Sequence, residues 1–225
     1  RVLFRSAALS RAGVGFKFGR KIERIIGGQV FQMPDGERFD RIVLATGGAA
    51  LPAFVGPRGA HLEHGLVATV PVKGQMLALA PVNGGPRHVI HTRDVYIAPK
   101  SRWVLVGATS ERGRADTDIE PARIAALKAK AAELVSVLGN APEVTAWAGV
   151  RPGTPDDAPM IGQTAIPGVF AALGHYRNGI LFAPATAELV ADQVIDGKVS
   201  PLAAAFDPLR FDKQGEAPHS PSQQN

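Results

Sequence analysis

VFAALGHYRNGILFAPATAELVADQVIDG, Val169 to Gly197, is the stretch whose pattern decides the architecture. Val169 to Leu173 is apolar on both faces, as a buried parallel strand is. Gly174-His175-Tyr176-Arg177-Asn178-Gly179 follows as a turn, and a helix is expected from about Ile180 to Ile195, closed by Gly197. Strand, glycine-containing turn and helix together bring backbone N–H groups and a positive helix end to an anionic ligand group. Arg177 sharpens the point. A cation just before a helix N-terminus opposes the macrodipole unless an anion lies between them. Pairing of Arg177 with a carboxylate such as Asp157 or Glu188 is an equal alternative at this stage.

Upstream, Val144 to Val150 has strand character and ends in Arg151-Pro152-Gly153-Thr154. An Arg held by a following Pro at a strand end is preorganised, and its planar fork matches a carboxylate bidentately. A surface ion pair carries equal weight for Arg151. Short strands are expected over residues 65–70, 74–80, 88–92, 95–98 and 103–106, the serial pattern of an antiparallel sheet. Tyr96 lies mid-strand among them, where its hydroxyl can reach a ligand at a sheet surface; a buried Tyr with a satisfied hydroxyl is the commoner reading of that residue alone. A helix is expected after Asp118 as N-cap, with Pro121 in its first turn. Its apolar stripe is Ile124, Leu127, Ala131, Leu134 and Leu138, and Gly139 ends it. Nearer the start, Gly15 to Leu44 reads as a small β-meander turning at Pro34-Asp35-Gly36. Ile42 to Ala45, running into Thr46-Gly47-Gly48, reads as a second buried parallel strand.

The 225 residues suffice for a full core, and a composition 45% hydrophobic and 20% charged is that of a globular chain rather than a disordered one. The absence of cysteine excludes disulfides, thiolate catalysis and any cofactor tethered through sulfur. A net charge of +5 is spread along the chain, densest at Lys17, Arg20, Lys21 and Arg24, which argues against nucleic acid as partner. No apolar run approaches the roughly 20 residues of a membrane span. Gly13 to Gly19 misses the GxGxxG dinucleotide fingerprint by one position and precedes a strand instead of following one. No metal site is expected from His61 and His64 or from His88 and His91, because odd spacing on a strand points the second pair to opposite faces. Residues 1–6, RVLFRS, read as a non-native leader, the chain as an N-terminally truncated fragment, and residues 213–225, rich in Pro, Ser and Gln, as a disordered tail.

Six blocks in order resemble the D-amino-acid oxidase family of FAD-dependent oxidoreductases, and within it the glycine oxidase branch of thiamine thiazole synthesis. They are RIVLATGGAA (Arg41 to Ala50), VPVKGQML (Val70 to Leu77), DVYIAP (Asp94 to Pro99), LVGATSE (Leu105 to Glu111), WAGVRPGTPDDAPMIG (Trp147 to Gly162) and GHYRNGILFAPATAELVADQV (Gly174 to Val194). The resemblance implies an α/β fold: the C-terminal part of a Rossmann-like FAD-binding domain with an inserted antiparallel or mixed-sheet substrate domain. On that basis residues 7–60 and 151–212 belong to the FAD-binding domain and 61–150 to the substrate domain. The family's GxGxxG unit would lie upstream of Arg1, and without it a non-catalytic remnant is the reading from another class.

The same resemblance assigns roles. Arg151 matches the Arg that clamps the amino-acid carboxylate, Tyr96 the Tyr that assists it, and Arg177 a residue near the substrate over the flavin. Thr46, Gly47, Gly149, Arg151, His175, Arg177, Asn178, Gly179, Ile180 and Leu181 would contact FAD. Asp94 and Ser110 stand where some glycine oxidases carry His and an apolar residue, which bears on pocket size and polarity. The implied reaction is oxidative deamination of glycine or a small amino acid with O2, giving imine, H2O2 and ammonia. A D-amino-acid dehydrogenase or N-methylamino-acid oxidase is the alternative within the family. A homo-oligomer in the cytoplasm, with a thiazole synthase as pathway partner, completes the expectation.

Overall fold

The computed structural model describes residues 2–211, with side chains from Ala7 onward. The expected tail and Arg1 of the expected leader lie outside the described residues. In chain order the first elements are α1 (Val2–Arg11), β1 (Arg24–Ile26), β2 (Phe31–Gln32), β3 (Arg38–Phe39), β4 (Ile42–Leu44), β5 (Ala53–Val55) and β6 (His61–Leu62). There follow β7 (Val70–Leu79), β8 (Ile90–His91), β9 (Tyr96–Pro99), β10 (Val104–Gly107), β11 (Glu111–Arg112) and α2 (Pro121–Leu134). A 3-10 turn (Ser136–Asn140) leads to β12 (Glu143–Gly153), β13 (Met160–Gln163), β14 (Val169–Leu173), α3 (Gly179–Asp196) and α4 (Pro201–Ala204).

Two compact units result. One, formed by residues up to Asp40 with Leu51–Leu62, holds a five-stranded sheet in the order β3-β2-β1-β5-β6. The expected meander is its antiparallel β1-β2-β3 portion, turning where Gly36 adopts φ +89° and Met33 N–H bonds to the Glu37 carbonyl at 2.8 Å. Ile25, Phe31 and Phe54 are its buried core, the two rings edge to face at 6.3 Å.

The second unit, Arg41–Ala50 and the residues from Glu63 on, contains two sheets. In the smaller one β14 runs parallel to β4, with Phe170 opposite Val43, and antiparallel to β13. The strand expected to be buried at Ile42 to Ala45 is parallel but buries only Leu44, because β4 lies at the edge of this sheet among the described residues. Val190 of α3 packs on Ile161 and Phe170. Gly197 takes φ +66° beyond the last turn of α3, where a left-handed residue closes the helix without a Cβ penalty. In the larger sheet β12 lies along one edge of β7, while β10 and β11 pair with the other, β9 and β8 following beyond β10. Alternation along β7 divides its residues between two faces. Leu77 and Leu79 join Ile97, Val104 and Val106 against Ile124, Leu127 and Ala131 of α2. Val72, Gly74 and Met76 point to the opposite face, which α2 leaves open.

Several elements differ from expectation. Asp118 does not cap α2: Glu120 holds the N-cap position without a side-chain hydrogen bond, because Pro121 at the first helical position already fixes the start. The helix ends at Leu134, since Val135-Ser136-Val137 has poor helix propensity; Leu138 reaches the core from the 3-10 turn instead. Residues 65–69 form no strand. Gly65 takes φ +69°, and Leu66 N–H bonds to His64 Nδ1 at 3.0 Å in place of a ladder partner. Strands β5, β6, β11 and β13 were not expected, being two to four residues long. Among the described residues no helix is long and apolar enough to cross a membrane.

Candidate active site

The open face of the larger sheet is built on glycines. The β12–β7 register sets Arg151 opposite Val72 and Gly149 opposite Gly74, so all four share that face. The Arg151 guanidinium lies over Gly74, where a Cβ would overlap it. Its Nη1 donates to the Thr109 carbonyl at 3.3 Å, and no carboxylate faces it among the described residues. Burial, with Arg177 nearby as a like charge, lowers the Arg151 pKa. Such a site lowers its energy by taking up an anion.

Thr109 is held from beneath. Its hydroxyl accepts from Gln75 N–H at 2.9 Å and donates to Glu111 Oε1 at 2.7 Å, and Gln75 Nε2 donates to the same oxygen at 3.1 Å. On the α2 side Lys73, fully buried, pairs with Asp116 at 2.5 Å and Glu120 at 3.4 Å. Burial opposes the lysine's charge, but the hydrogen bonds to those two carboxylates leave its pKa raised. Arg114, and then Lys73, hold Asp116 well below the usual carboxylate range. The loop that presents the Thr109 carbonyl is therefore fixed by charge-assisted contacts.

Tyr96, half-buried, donates its hydroxyl to Met76 Sδ at 2.9 Å, a weak acceptor that an oxygen ligand would replace. Gly107 makes room for that hydroxyl: a Cβ there would stand 3.0 Å from Tyr96 Oη and nearer still to Met76. Arg177 is exposed on the turn before α3 and makes no ion pair among the described residues. Asp157 bonds to Arg112 instead, at 2.7 Å. The pairing alternatives considered for Arg151 and Arg177 are thus not what forms. Tyr176 holds the turn in place from a left-handed conformation, φ +51°. Its N–H bonds to the carbonyl of Pro152 at 2.9 Å, and its hydroxyl shares a hydrogen bond with Ser110 Oγ at 2.9 Å. Arg151, Tyr96, Tyr176 and Arg177 are mutually close enough for Arg151 to sense the other three.

Beside the turn lies an apolar hollow of about 700 Å³, whose walls include Val43, Ala45, Gly47, Gly174, Gly179 and Ala183. His175 Nε2 and Thr186 Oγ1 share a hydrogen bond at 2.9 Å on its wall, and burial lowers the His175 pKa. Asn178 occupies the N-cap position of α3 without a side-chain bond, and the Phe182 N–H is the first to reach back to its carbonyl. The amides of Gly179, Ile180 and Leu181 therefore lack intrahelical acceptors. Ile180 and Leu181 are 83% and 74% exposed. Gly47 takes φ +64° at the hollow's edge; Thr46, exposed, bonds to the Ala49 carbonyl at 3.4 Å, and Gly149 faces open space. An apolar hollow, flanking glycine backbone and a helix end able to carry negative charge fit the ring end of a flavin.

Sequence reasoning singled out Tyr96, Arg151 and Arg177, and the fold brings them together. It missed Gly74, Met76, Gly107, Thr109 and Tyr176 as parts of the site. The glycine within VKGQ was a usable signal only once paired with Arg151 through the strand register. Among the described residues no group of three or more His, Asp or Glu could hold a metal ion.

The chain is 37% identical over 221 residues to the bifunctional protein ThiO/ThiG of Nostoc sp., covering 92% of this chain and 32% of that protein. It is 39% identical over 158 residues to the glycine oxidase of Geobacillus kaustophilus, covering 69% of this chain and 40% of that protein. The crystal structure of glycine oxidase from Geobacillus kaustophilus superposes with a TM-score of 0.69 at 33% identity, over 84% of this chain and 52% of that one. The chain thus spans between a third and about half of the length of these relatives. The FAD dependent oxidoreductase family matches residues 4–193, most of the chain, in keeping with the sequence blocks and the mixed α/β fold: this chain belongs to that family.

Proposed function

We propose that the chain forms the substrate-facing part, and the flavin-ring side, of an FAD-dependent amino-acid oxidase acting on glycine or another small amino acid. The observation that carries this reading is Arg151, half-buried, close to a second guanidinium, and faced by no carboxylate among the described residues. A substrate carboxylate completes that arrangement as a bidentate partner. Tyr96 turns its hydroxyl from Met76 sulfur to the same carboxylate, and Arg177 adds the second positive charge. Backbone amides at Gly179 to Leu181 would stabilise negative charge on the reduced flavin. Thr46, Gly47, Gly149, His175 and Asn178 complete the cofactor-facing set. When bound, FAD supplies two-electron oxidation of the substrate C–N bond, O2 being reduced to H2O2 and the imine hydrolysed to glyoxylate and ammonia. The chain's contribution is alignment, which needs no side-chain base.

Residues 7–60 and 151–212 are read as parts of the FAD-binding domain and 61–150 as the substrate domain. Similarity to ThiO/ThiG proteins supports a setting in thiamine thiazole synthesis beside a thiazole synthase. A homo-oligomeric state and a cytoplasmic setting rest on the family resemblance.

The test is glycine-dependent H2O2 release by the FAD-loaded protein and its Arg151→Ala variant. Loss of a charge-assisted contact of about 1.5–3 kcal/mol lowers kcat/KM by roughly one to two orders of magnitude. Unchanged kcat/KM overturns the clamp.

A further inference from the structure

Glu111 is a carboxylate that the proposed chemistry does not use, yet its side chain is only 9% exposed. It opens β11, directly after the connection Ala108-Thr109-Ser110 that leaves β10. That connection touches both arginine-bearing segments. The Thr109 carbonyl accepts from Arg151, and Ser110 Oγ shares its hydrogen bond with Tyr176, one residue before Arg177. Whatever anchors residues 108–110 therefore bears on the placement of Arg151 and of the turn that carries Arg177.

Three hydrogen bonds to Gln75 and Glu111 hold Thr109. Its N–H donates to the Gln75 carbonyl at 3.2 Å, while its hydroxyl accepts from Gln75 N–H at 2.9 Å and donates to Glu111 Oε1 at 2.7 Å. Gln75 Nε2 donates to the same carboxylate oxygen at 3.1 Å, and Gln75 Oε1 accepts from the N–H of Glu120, the N-cap of α2, at 2.8 Å. Gln75 is fully buried, so none of these groups has water as a substitute partner. A carboxylate suits position 111 because it only accepts. The Gln75 N–H can only donate, so the Thr109 hydroxyl accepts from it and gives its own proton to a second acceptor. Glu111 supplies that acceptor whichever oxygen it turns inward. Burial opposes the Glu111 charge, but the bonds from Thr109 and Gln75 leave its pKa lowered. An apolar residue there would strand both donors in a buried position.

We propose that Glu111 is a positioning residue for the carboxylate clamp: through Thr109 it holds the Arg151 guanidinium in the place that receives the substrate α-carboxylate. This rests on the clamp proposed above and adds to it a residue that acts without itself contacting the substrate.

The experiment measures glycine Kd by calorimetry, and kcat and KM for glycine-dependent H2O2 release, with the FAD-loaded protein and its Glu111→Ala, Glu111→Gln and Thr109→Val variants. Glu111→Ala and Thr109→Val are each expected to raise Kd and KM about tenfold, the loss falling on KM rather than on kcat. Glu111→Gln, whose carbonyl oxygen is able to accept both bonds, is expected to stay within about threefold of the parent protein. A double-mutant cycle separates positioning from a purely structural role: in an Arg151→Ala background, Glu111→Ala should change kcat/KM by less than about twofold. A folded Glu111→Ala protein with parental Kd and KM overturns the proposal, as does an equal loss with and without Arg151, and both results leave the clamp standing. Failure of the parent protein to bind glycine overturns the clamp and this proposal together. Circular-dichroism melts establish which variants fold. Where Glu111→Ala does not, Thr109→Val, which keeps the side-chain shape and the backbone carbonyl, decides by the same criteria.

Discussion

Gly74 shows how much of this site depends on an atom that is missing. The Arg151 guanidinium occupies the space a Cβ at position 74 would fill, so the smallest possible side chain there displaces the clamp. Gly74→Ala is expected to weaken carboxylate binding nearly as much as Arg151→Ala. The atoms in the way are the far end of the flexible Arg151 side chain, which can swing aside, so stability should change little. Parallel measurement of glycine affinity and thermal melting separates the two effects, and normal affinity in a folded Gly74→Ala protein refutes the overlap. Tyr176 works in the opposite sense, by presence. A Tyr in the left-handed region is held against about 1–2 kcal/mol of intrinsic preference by its bonds to Pro152 and Ser110. The turn so held carries Arg177 at its next position.

At the scale of elements, the turn between β12 and β13 is secured by Asp156. Its two oxygens accept from Arg210 Nε at 2.8 Å and Nη2 at 2.9 Å, tying the segment after α4 to the residues that follow Arg151. The Arg210 bonds outweigh the burial that opposes ionisation and lower the Asp156 pKa to about 2. A depressed carboxylate pKa contributes stability that is fully present above the unfolded value of 3.8 and is lost as pH falls from there towards 2. Asp156→Asn should therefore flatten the fall in melting temperature between pH 5 and pH 2.5. At pH 7 it should cost about 1–2 kcal/mol, discounted because a third of the Asp156 side chain meets solvent. Parallel pH profiles for the two proteins contradict that assignment.

For the whole molecule, the consequential feature is where the sheets stop. Among the described residues β4 pairs with β14 on one edge and with nothing on the other, and Val43 in its middle is 46% exposed. A free strand edge is a template for further pairing. The 225-residue chain is expected to self-associate with rising concentration, and Val43→Lys to suppress this by placing charge on the edge strand; equal light scattering from both proteins argues against it. Period and punctuation in the sequence had already determined the strand–turn–helix at Val169 to Gly197, the strand at Ile42 to Leu44 though not its exposure at a sheet edge, and the amphipathic α2. The resemblance carried by six blocks of residues brought Arg151, Tyr96 and Arg177 forward. Local pattern could not show that Gly74 lies beneath Arg151 or that Thr109 holds its guanidinium. Those facts depend on strand register and on which face of a sheet a helix covers. Register and layering are settled by contacts between residues far apart in the chain, so only the tertiary structure decides them.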